Sequence, residues 1–145
     1  MNKLPPKMAF QDIMRSVASQ LGGPPPSLDK LIGTLQQDVQ TNPHKYMPFF
    51  RKVNEMMASK VPIGKICNRI AIEYCDGDNL PKSEAKEFAW TFWSAIEEHP
   101  AGITNLAYFI GGENEQLGIQ LLMHASTLGN DTAKENLKRM GYITE

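Results

Sequence analysis

The stretch GNDTAKENLKRMGY, residues 129–142, has turn residues, then a short amphipathic run, then a tyrosine. When it is laid over the upstream sequence without gaps, Leu137 falls on Leu106 and then on Ile70. These three apolar anchors are 36 and 31 residues apart. That spacing is the length of a two-helix hairpin, which gains a core by stacking on a neighbouring hairpin. The sequence therefore predicts a repeat of helical hairpins.

Apolar residues follow helical spacing along nearly the whole chain, and the alternation of two that marks a half-buried strand is nowhere sustained. The apolar stripes stop at clusters of glycine, proline and asparagine, which end helices or form turns. Ser27 and Ser83 stand where N-caps belong, because a serine hydroxyl can accept a hydrogen bond from a free backbone N–H. The predicted helices span about 10–21, 28–39, 46–59, 66–74, 83–95, 102–110, 115–127 and 131–140. We expect an all-α chain of eight helices with short loops.

Small residues recur at corresponding places in the predicted hairpins. They are Ala71, Ala95, Ala107 and Ala125. Two helix axes approach closely only where little side chain stands between them, so these alanines favour tightly packed helix pairs.

The fullest copy of the unit is the run NRIAIEYCDGDNLPKSEAKEFAW, residues 68–90. The positions that carry the pattern are Ile70-Ala71, Tyr74, Gly77, Leu80-Pro81, Trp90 and Ala95 in the first copy, and Leu106-Ala107, Ala125 and Gly129-Asn130 in the second. This pattern resembles the Sel-one-like repeat, a relative of the tetratricopeptide repeat, over about residues 65–142. In the second copy Ile110 replaces the tyrosine and the loop is five residues shorter. The resemblance implies a right-handed stack of antiparallel helical hairpins, an α-solenoid.

The predicted repeats divide the chain into an N-terminal extension and a repeat domain. We expect residues 1–26 to form a helix with a Gly/Pro linker and residues 27–145 to form the helical repeat domain. Residues 27–63 fit either a diverged hairpin or an added cap. The helix at 10–21 should be the least anchored, because five Gly/Pro residues follow it. Within the repeat domain, 65–101 is the first repeat, 102–130 the second repeat and 131–145 the C-terminal cap.

The titratable residues form no recognised catalytic pattern. His44, His99 and His124 are far apart in the sequence, and no nucleophile elbow, phosphate loop or zinc-protease signature occurs. Glu97-Glu98-His99 lie next to one another, and adjacent helical residues point about 100 degrees apart, so they do not converge on a metal. We therefore expect a protein that is not an enzyme.

Two further motifs partly match metal or redox sites. The run from Asp76 to Asn79, with Glu87 at position twelve, resembles the ends of a calcium loop, but its glycine stands at the second position instead of the sixth. Cys67 and Cys75 are eight residues apart, which matches no zinc or redox motif. We expect no metal and no cofactor.

The overall composition is that of one globular domain. The chain has 145 residues, of which 41% are hydrophobic and 21% charged. No apolar run is long enough for a membrane helix, and MNKLPPKMAF has prolines where a signal peptide needs its apolar stretch. These features predict a cytoplasmic protein without a membrane partner.

The net charge of −1 conceals an uneven distribution. Residues 1–65 hold nine Lys/Arg against four Asp/Glu, and residues 66–145 hold six against twelve. A basic half can steer a nucleic acid, although it lacks a dense Lys/Arg cluster, and solvated helix faces carry the same kind of charge. A nucleic-acid-associated regulator that uses this basic half is the alternative function.

The apolar anchors of the repeats are expected to be buried between the hairpins. The helix surface that stays exposed is the candidate functional site. In helical solenoids the first helix of each hairpin lines the concave face, and the resemblance implies the same here. The predicted partner-binding residues are Arg69, Ile72, Glu73, Asn105, Tyr108 and Phe109. Apolar and aromatic groups beside an arginine favour protein interfaces. Packing of Tyr108 and Phe109 against the chain itself remains the other interpretation.

The family resemblance and the small number of repeats together suggest a function. The resemblance implies the role that proteins of this family have, which is to act as adaptors or scaffolds that hold a peptide or a partner domain. Because two repeats leave little room for many clients, we expect one partner protein. The prediction is a dedicated adaptor, or an inhibitor of the immunity or anti-defence type, without catalysis.

Overall fold

The computed structural model describes residues 2–142, and these residues form eight α-helices. The helices are α1 (Phe10–Gln20), α2 (Leu28–Thr41), α3 (Pro43–Ala58), α4 (Ile63–Asp76), α5 (Glu84–Ile96), α6 (Pro100–Gly111), α7 (Glu115–Thr127) and α8 (Asp131–Arg139). Apart from an isolated bridge between Asn2 and Tyr142, the described part of the chain has no β-structure. The predicted fold class, an all-α helical-repeat fold of antiparallel hairpins, is confirmed.

Polar caps set most helix starts. The hydroxyls of Ser27 and Ser83 accept hydrogen bonds from the backbone at the first turns of α2 and α5, as predicted. In contrast, α3 begins at Pro43, three residues before the predicted start, and α6 begins at Pro100. Both prolines were expected to interrupt helices, but a proline in the first turn loses no intrahelical hydrogen bond.

The chain forms two compact units that do not follow the predicted division at residue 26. The continuous unit comprises residues 25–99, and the described part of the split unit comprises residues 2–24 and 100–142. The hairpin α4–α5 belongs to the continuous unit and the hairpin α6–α7 to the split unit.

The first helix is a firmly packed part of the split unit and not a weakly anchored extension. It packs on α7 and buries Ile13, Met14 and Val17. Phe10 stacks on His124 with ring centroids 4.3 Å apart. These residues have the spacing of one helix face, so the predicted apolar stripe of α1 anchors the helix on α7 even though a Gly/Pro linker follows it.

A polar network joins three helices of the continuous unit. The hydroxyl of Tyr74 in α4 donates to Asp38 Oδ2 in α2 over 2.7 Å. Lys86 Nζ in α5 lies 2.9 and 2.7 Å from the two carboxylate oxygens of Asp38. Burial, followed by the hydrogen bond and the charge of Asp38, raises the pKa of Tyr74 above its ordinary value. The network therefore fixes α2 against the α4–α5 hairpin.

The split unit depends on a close approach of α6 and α7. The anchor Leu106 is fully buried, and Ala107 beside it is also buried. A Cβ atom added to Gly118 in α7 would lie 3.0 Å from the Cα of Gly111 in α6. Because real Cβ contacts are rarely so short, the two helices approach closely only if residue 118 is glycine. A Cβ added to Gly111 would meet no atom within 4 Å.

We expect Gly118→Ala to lower the free energy of unfolding relative to Gly111→Ala by about 1 to 3 kcal/mol, the usual cost of overpacking. Gly118 lies inside α7 and Gly111 is the last residue of α6, so the gain in helix propensity is larger at Gly118 and opposes the expected loss. Urea unfolding followed by circular dichroism measures the two free energies. Equal stability of the two variants would show that α6 and α7 do not meet at Gly118.

Candidate protein-binding site

An apolar groove opens among α6, α7 and α8 of the split unit. Its volume is about 340 Å³. Ala107, Ile119 and Leu122 contribute apolar surface, and their backbones belong to the closely packed α6–α7 hairpin. The residues that define this α6–α8 groove are Ala107, Tyr108, Gly111, Gly112, Glu115, Gly118, Ile119, Leu122, Asn136, Arg139 and Met140.

Two glycines keep the groove open. Cβ atoms added to Gly111 or Gly112 would meet no heavy atom within 4 Å, so the space that side chains would occupy there is empty. Neither glycine has a positive φ angle, so its backbone also suits other residues. The lack of a side chain at these positions therefore creates space for a ligand group, and no turn geometry requires it.

Tyr108 is the most exposed large apolar side chain at the groove. It is 60% exposed, and its hydroxyl accepts a hydrogen bond from Asn136 Nδ2 in α8. This bond restricts the ring and leaves the hydroxyl hydrogen able to donate to a ligand. Met140 is also exposed, and Arg139 and Glu115 supply one positive and one negative charge. An ordered tyrosine beside methionine and arginine has the composition of an interface hot spot.

The structure places the other predicted residues of α6 outside the groove. Asn105 and Phe109 are half-buried and do not line it. Gly111, Gly112 and Met140 do line it and were not among the six predicted residues. In the sequence, the glycine pair indicates a loop. The sequence pattern does not show whether the space beside a glycine is empty, so it could not predict the groove.

The predicted residues of α4 belong to the continuous unit, and only two of them are exposed. Arg69 and Ile72 are exposed, whereas Glu73 is 5% exposed. Glu73 accepts hydrogen bonds from Arg69 Nε over 3.2 Å and from Asn79 Nδ2 over 2.9 Å. The Arg69 guanidinium also lies 5.9 Å from the ring centroid of Phe49. Glu73 therefore holds the loop after α4 and offers little surface to a partner.

The continuous unit contains an apolar cavity of about 230 Å³ among α2, α3, α4 and α5. Phe50, Met57 and Trp90 are among its lining residues, and the polar residues that line it are Gln36 and Asn54. No titratable side chain lines the cavity. Met57 lines this cavity and is 47% exposed, so the cavity opens to solvent beside it.

The histidines lie on separate elements. His44 is exposed on α3, His99 is half-buried before α6, and His124 stacks on Phe10. Burial, and then the charge of Lys65, lowers the pKa of His99 below its ordinary value. Within residues 2–142, no three His, Cys, Asp or Glu side chains are grouped so that they could hold a metal ion.

The two cysteines differ in burial. Burial, and then the charge of Glu97, raises the pKa of Cys67 to about 12, whereas Cys75 is exposed. Since the thiolate is the reactive form, we expect a chromogenic disulfide reagent at pH 8 to modify Cys75 alone in the folded protein and both cysteines in denaturant. The Cys75→Ser variant should then show no rapidly reacting thiol. Fast modification of that variant without denaturant would contradict the buried position of Cys67.

No helix among the described residues combines the length and the apolar character needed to cross a membrane. In comparisons with known proteins, the chain matches no protein-family model, no curated protein and no solved structure. The resemblance to the Sel-one-like repeat therefore stays a prediction from the residues that carry it.

Proposed function

We propose that this chain is a non-catalytic protein-binding module that binds one partner protein in the cytoplasm through its helical-repeat surface. In this proposal it acts as a dedicated adaptor, or as an inhibitor of the immunity or anti-defence type. The observation that carries the proposal is the α6–α8 groove, with Tyr108 held by Asn136 at its edge.

The chemistry of the groove suits a protein side chain. Its volume of about 340 Å³ is enough for one or two large apolar groups, and its lining is mainly apolar. An amphipathic helix that enters such a groove places its apolar side chains against the floor. Arg139 and Glu115 would then set the orientation of the partner through charges of opposite sign.

The test is affinity purification from the source cells with wild-type protein and with Tyr108→Ala as baits, followed by a titration with the protein that is captured. We expect Tyr108→Ala to weaken binding by about 2 kcal/mol, roughly 30-fold in Kd, as for other hot-spot tyrosines. Leu128→Ala is the matched control, because Leu128 is 43% exposed in the same unit and does not line the groove. Wild-type affinity in a folded Tyr108→Ala variant would reject the groove.

A third bait, Ile72→Ala, tests the predicted residues of α4 separately from those of α6. Ile72 is 41% exposed on α4 of the continuous unit. If Ile72→Ala weakens binding and Tyr108→Ala does not, the partner binds the continuous unit. We expect the reverse, because Glu73 beside Ile72 is buried and its carboxylate already accepts hydrogen bonds from Arg69 and Asn79.

A further inference from the structure

Residues 2–9 form an extended strap on the split unit. Gln120 of α7 contacts its backbone twice: Gln120 Nε2 donates to the Pro6 carbonyl oxygen over 2.9 Å, and the Met8 N–H donates to Gln120 Oε1 over 3.0 Å. Gln120 is 5% exposed and lies in an otherwise mainly apolar stretch of α7. A buried amide needs partners for both of its ends, and the strap supplies them.

A second contact holds the beginning of the strap. The backbone N–H of Asn2 donates to the Gly141 carbonyl oxygen over 2.7 Å, and Asn2 Nδ2 donates to the Met140 carbonyl oxygen over 3.1 Å. Gly141 has a φ of +86°, and a Cβ added there would lie 3.3 Å from Asn2 Nδ2. Glycine therefore provides both the turn after α8 and the space for the strap.

Main-chain groups of the strap make three of these four hydrogen bonds. Such bonds recognise an extended backbone and tolerate many side chains, as in other proteins that bind extended peptides. The sequence of the strap suits this use. Pro5 and Pro6 favour an extended conformation and have no N–H groups that would need partners.

The strap adds little to the core of the split unit. None of residues 2–9 is buried, although Leu4 and Pro5 are half-buried. The helix that follows is held independently by the buried side chains of Ile13 and Val17. The contacts that hold α1 on α7 therefore do not include the strap.

We propose that Gln120 and the backbone of Met140 and Gly141 form a binding site for a proline-containing extended segment of a partner protein. Residues 2–9 occupy this site within the chain and compete with that segment. The central residue of this site, Gln120, does not line the α6–α8 groove, and Met140 is the residue that the site and the groove share.

Competition by a tethered strap has a measurable size. A short tether gives an effective concentration on the order of 1 mM. If the untethered strap binds the empty site with a Kd of about 100 μM, this competition weakens the apparent affinity of any other segment by about tenfold. Removal of the strap should therefore increase the apparent affinity of the segment by the same factor.

The experiment measures binding of a fluorescein-labelled peptide, NKLPPKMA, by fluorescence anisotropy to the full chain and to a chain that lacks residues 2–8. We expect the shortened chain to bind one peptide, about tenfold more tightly than the full chain does. In the shortened chain, Gln120→Leu should weaken binding at least tenfold. Gln116 is exposed one turn before Gln120 on the same helix, and Gln116→Leu should leave the affinity unchanged. Circular dichroism confirms that each variant is folded.

Several results would overturn the proposal. A folded shortened chain that does not bind the peptide has no such site, and equal binding by the Gln120→Leu variant shows that the site lies elsewhere. A dimer of the full chain that disappears when residues 2–8 are removed would mean that two copies exchange their straps instead of binding a foreign segment.

A second variant covers the case in which the shortened chain does not fold. Asn2→Ala combined with Leu4→Ser weakens the strap in a chain of full length. We expect this variant to bind the labelled peptide severalfold more tightly than the wild-type chain does. An affinity equal to that of the wild-type chain contradicts the competition between strap and peptide.

Discussion

Leu106→Ala is expected to lower the free energy of unfolding of the split unit by about 2 to 5 kcal/mol. Leu106 is fully buried in α6, and its removal leaves a cavity in addition to the lost transfer free energy of the side chain. The surrounding helices close such a cavity only in part, because α6 and α7 already meet at Gly118. Urea unfolding followed by circular dichroism gives the loss.

Leu128→Ala is the control for this measurement. Leu128 follows α7 and is 43% exposed, so the same truncation there should change stability by no more than about 0.5 kcal/mol. Similar effects of the two truncations would mean that the repeat anchors do not form the core. The prediction therefore tests the alignment of Leu106 with the other repeat anchors, Ile70 and Leu137, as well as the burial of Leu106 itself.

Asp38→Ala is expected to destabilise the continuous unit by about 2 to 3 kcal/mol. The variant leaves the buried Tyr74 hydroxyl and the Lys86 ammonium without their carboxylate. Loss of one partner from a buried pair can cost more, but the side chain of Lys86 is 32% exposed and water compensates part of its charge.

Two further variants apportion the loss between the partners of Asp38. We expect Tyr74→Phe to cost less than Asp38→Ala, because Lys86 and Asp38 still pair in that variant. Lys86→Met should also cost less, because Tyr74 still donates to the carboxylate. Urea unfolding of the three single variants and of the Asp38→Ala, Lys86→Met double variant gives the coupling energy. No loss of stability in Asp38→Ala would show that the network does not hold α2.

The sequence was sufficient to predict the helices, because helical periodicity and polar caps are local signals. The starts of α3 and α6 were missed for a local reason as well, since proline can open a helix as readily as it ends one. The two units could not be predicted in this way. They depend on α1 packing against α7, a contact between segments that are about a hundred residues apart in the sequence.

The candidate site was predictable only in part. The repeat register indicated Tyr108, because residues on the outer side of an anchored helix stay exposed. The same register indicated Glu73, which is instead buried against Arg69 and Asn79. Gln120 is a signal of the strap contact, because a glutamine inside an apolar helix requires a polar partner, although the sequence does not identify that partner.

The central claim is that the open space beside Gly111 receives a partner. Gly111→Leu tests this claim directly, because Gly111 lines the groove and a Cβ added there meets no atom within 4 Å. Affinity purification with this variant as bait, together with its urea unfolding curve, is the decisive measurement. We predict wild-type stability or better, and loss of the partner that the wild-type bait captures. A folded Gly111→Leu protein that captures the partner as well as wild type would contradict the claim.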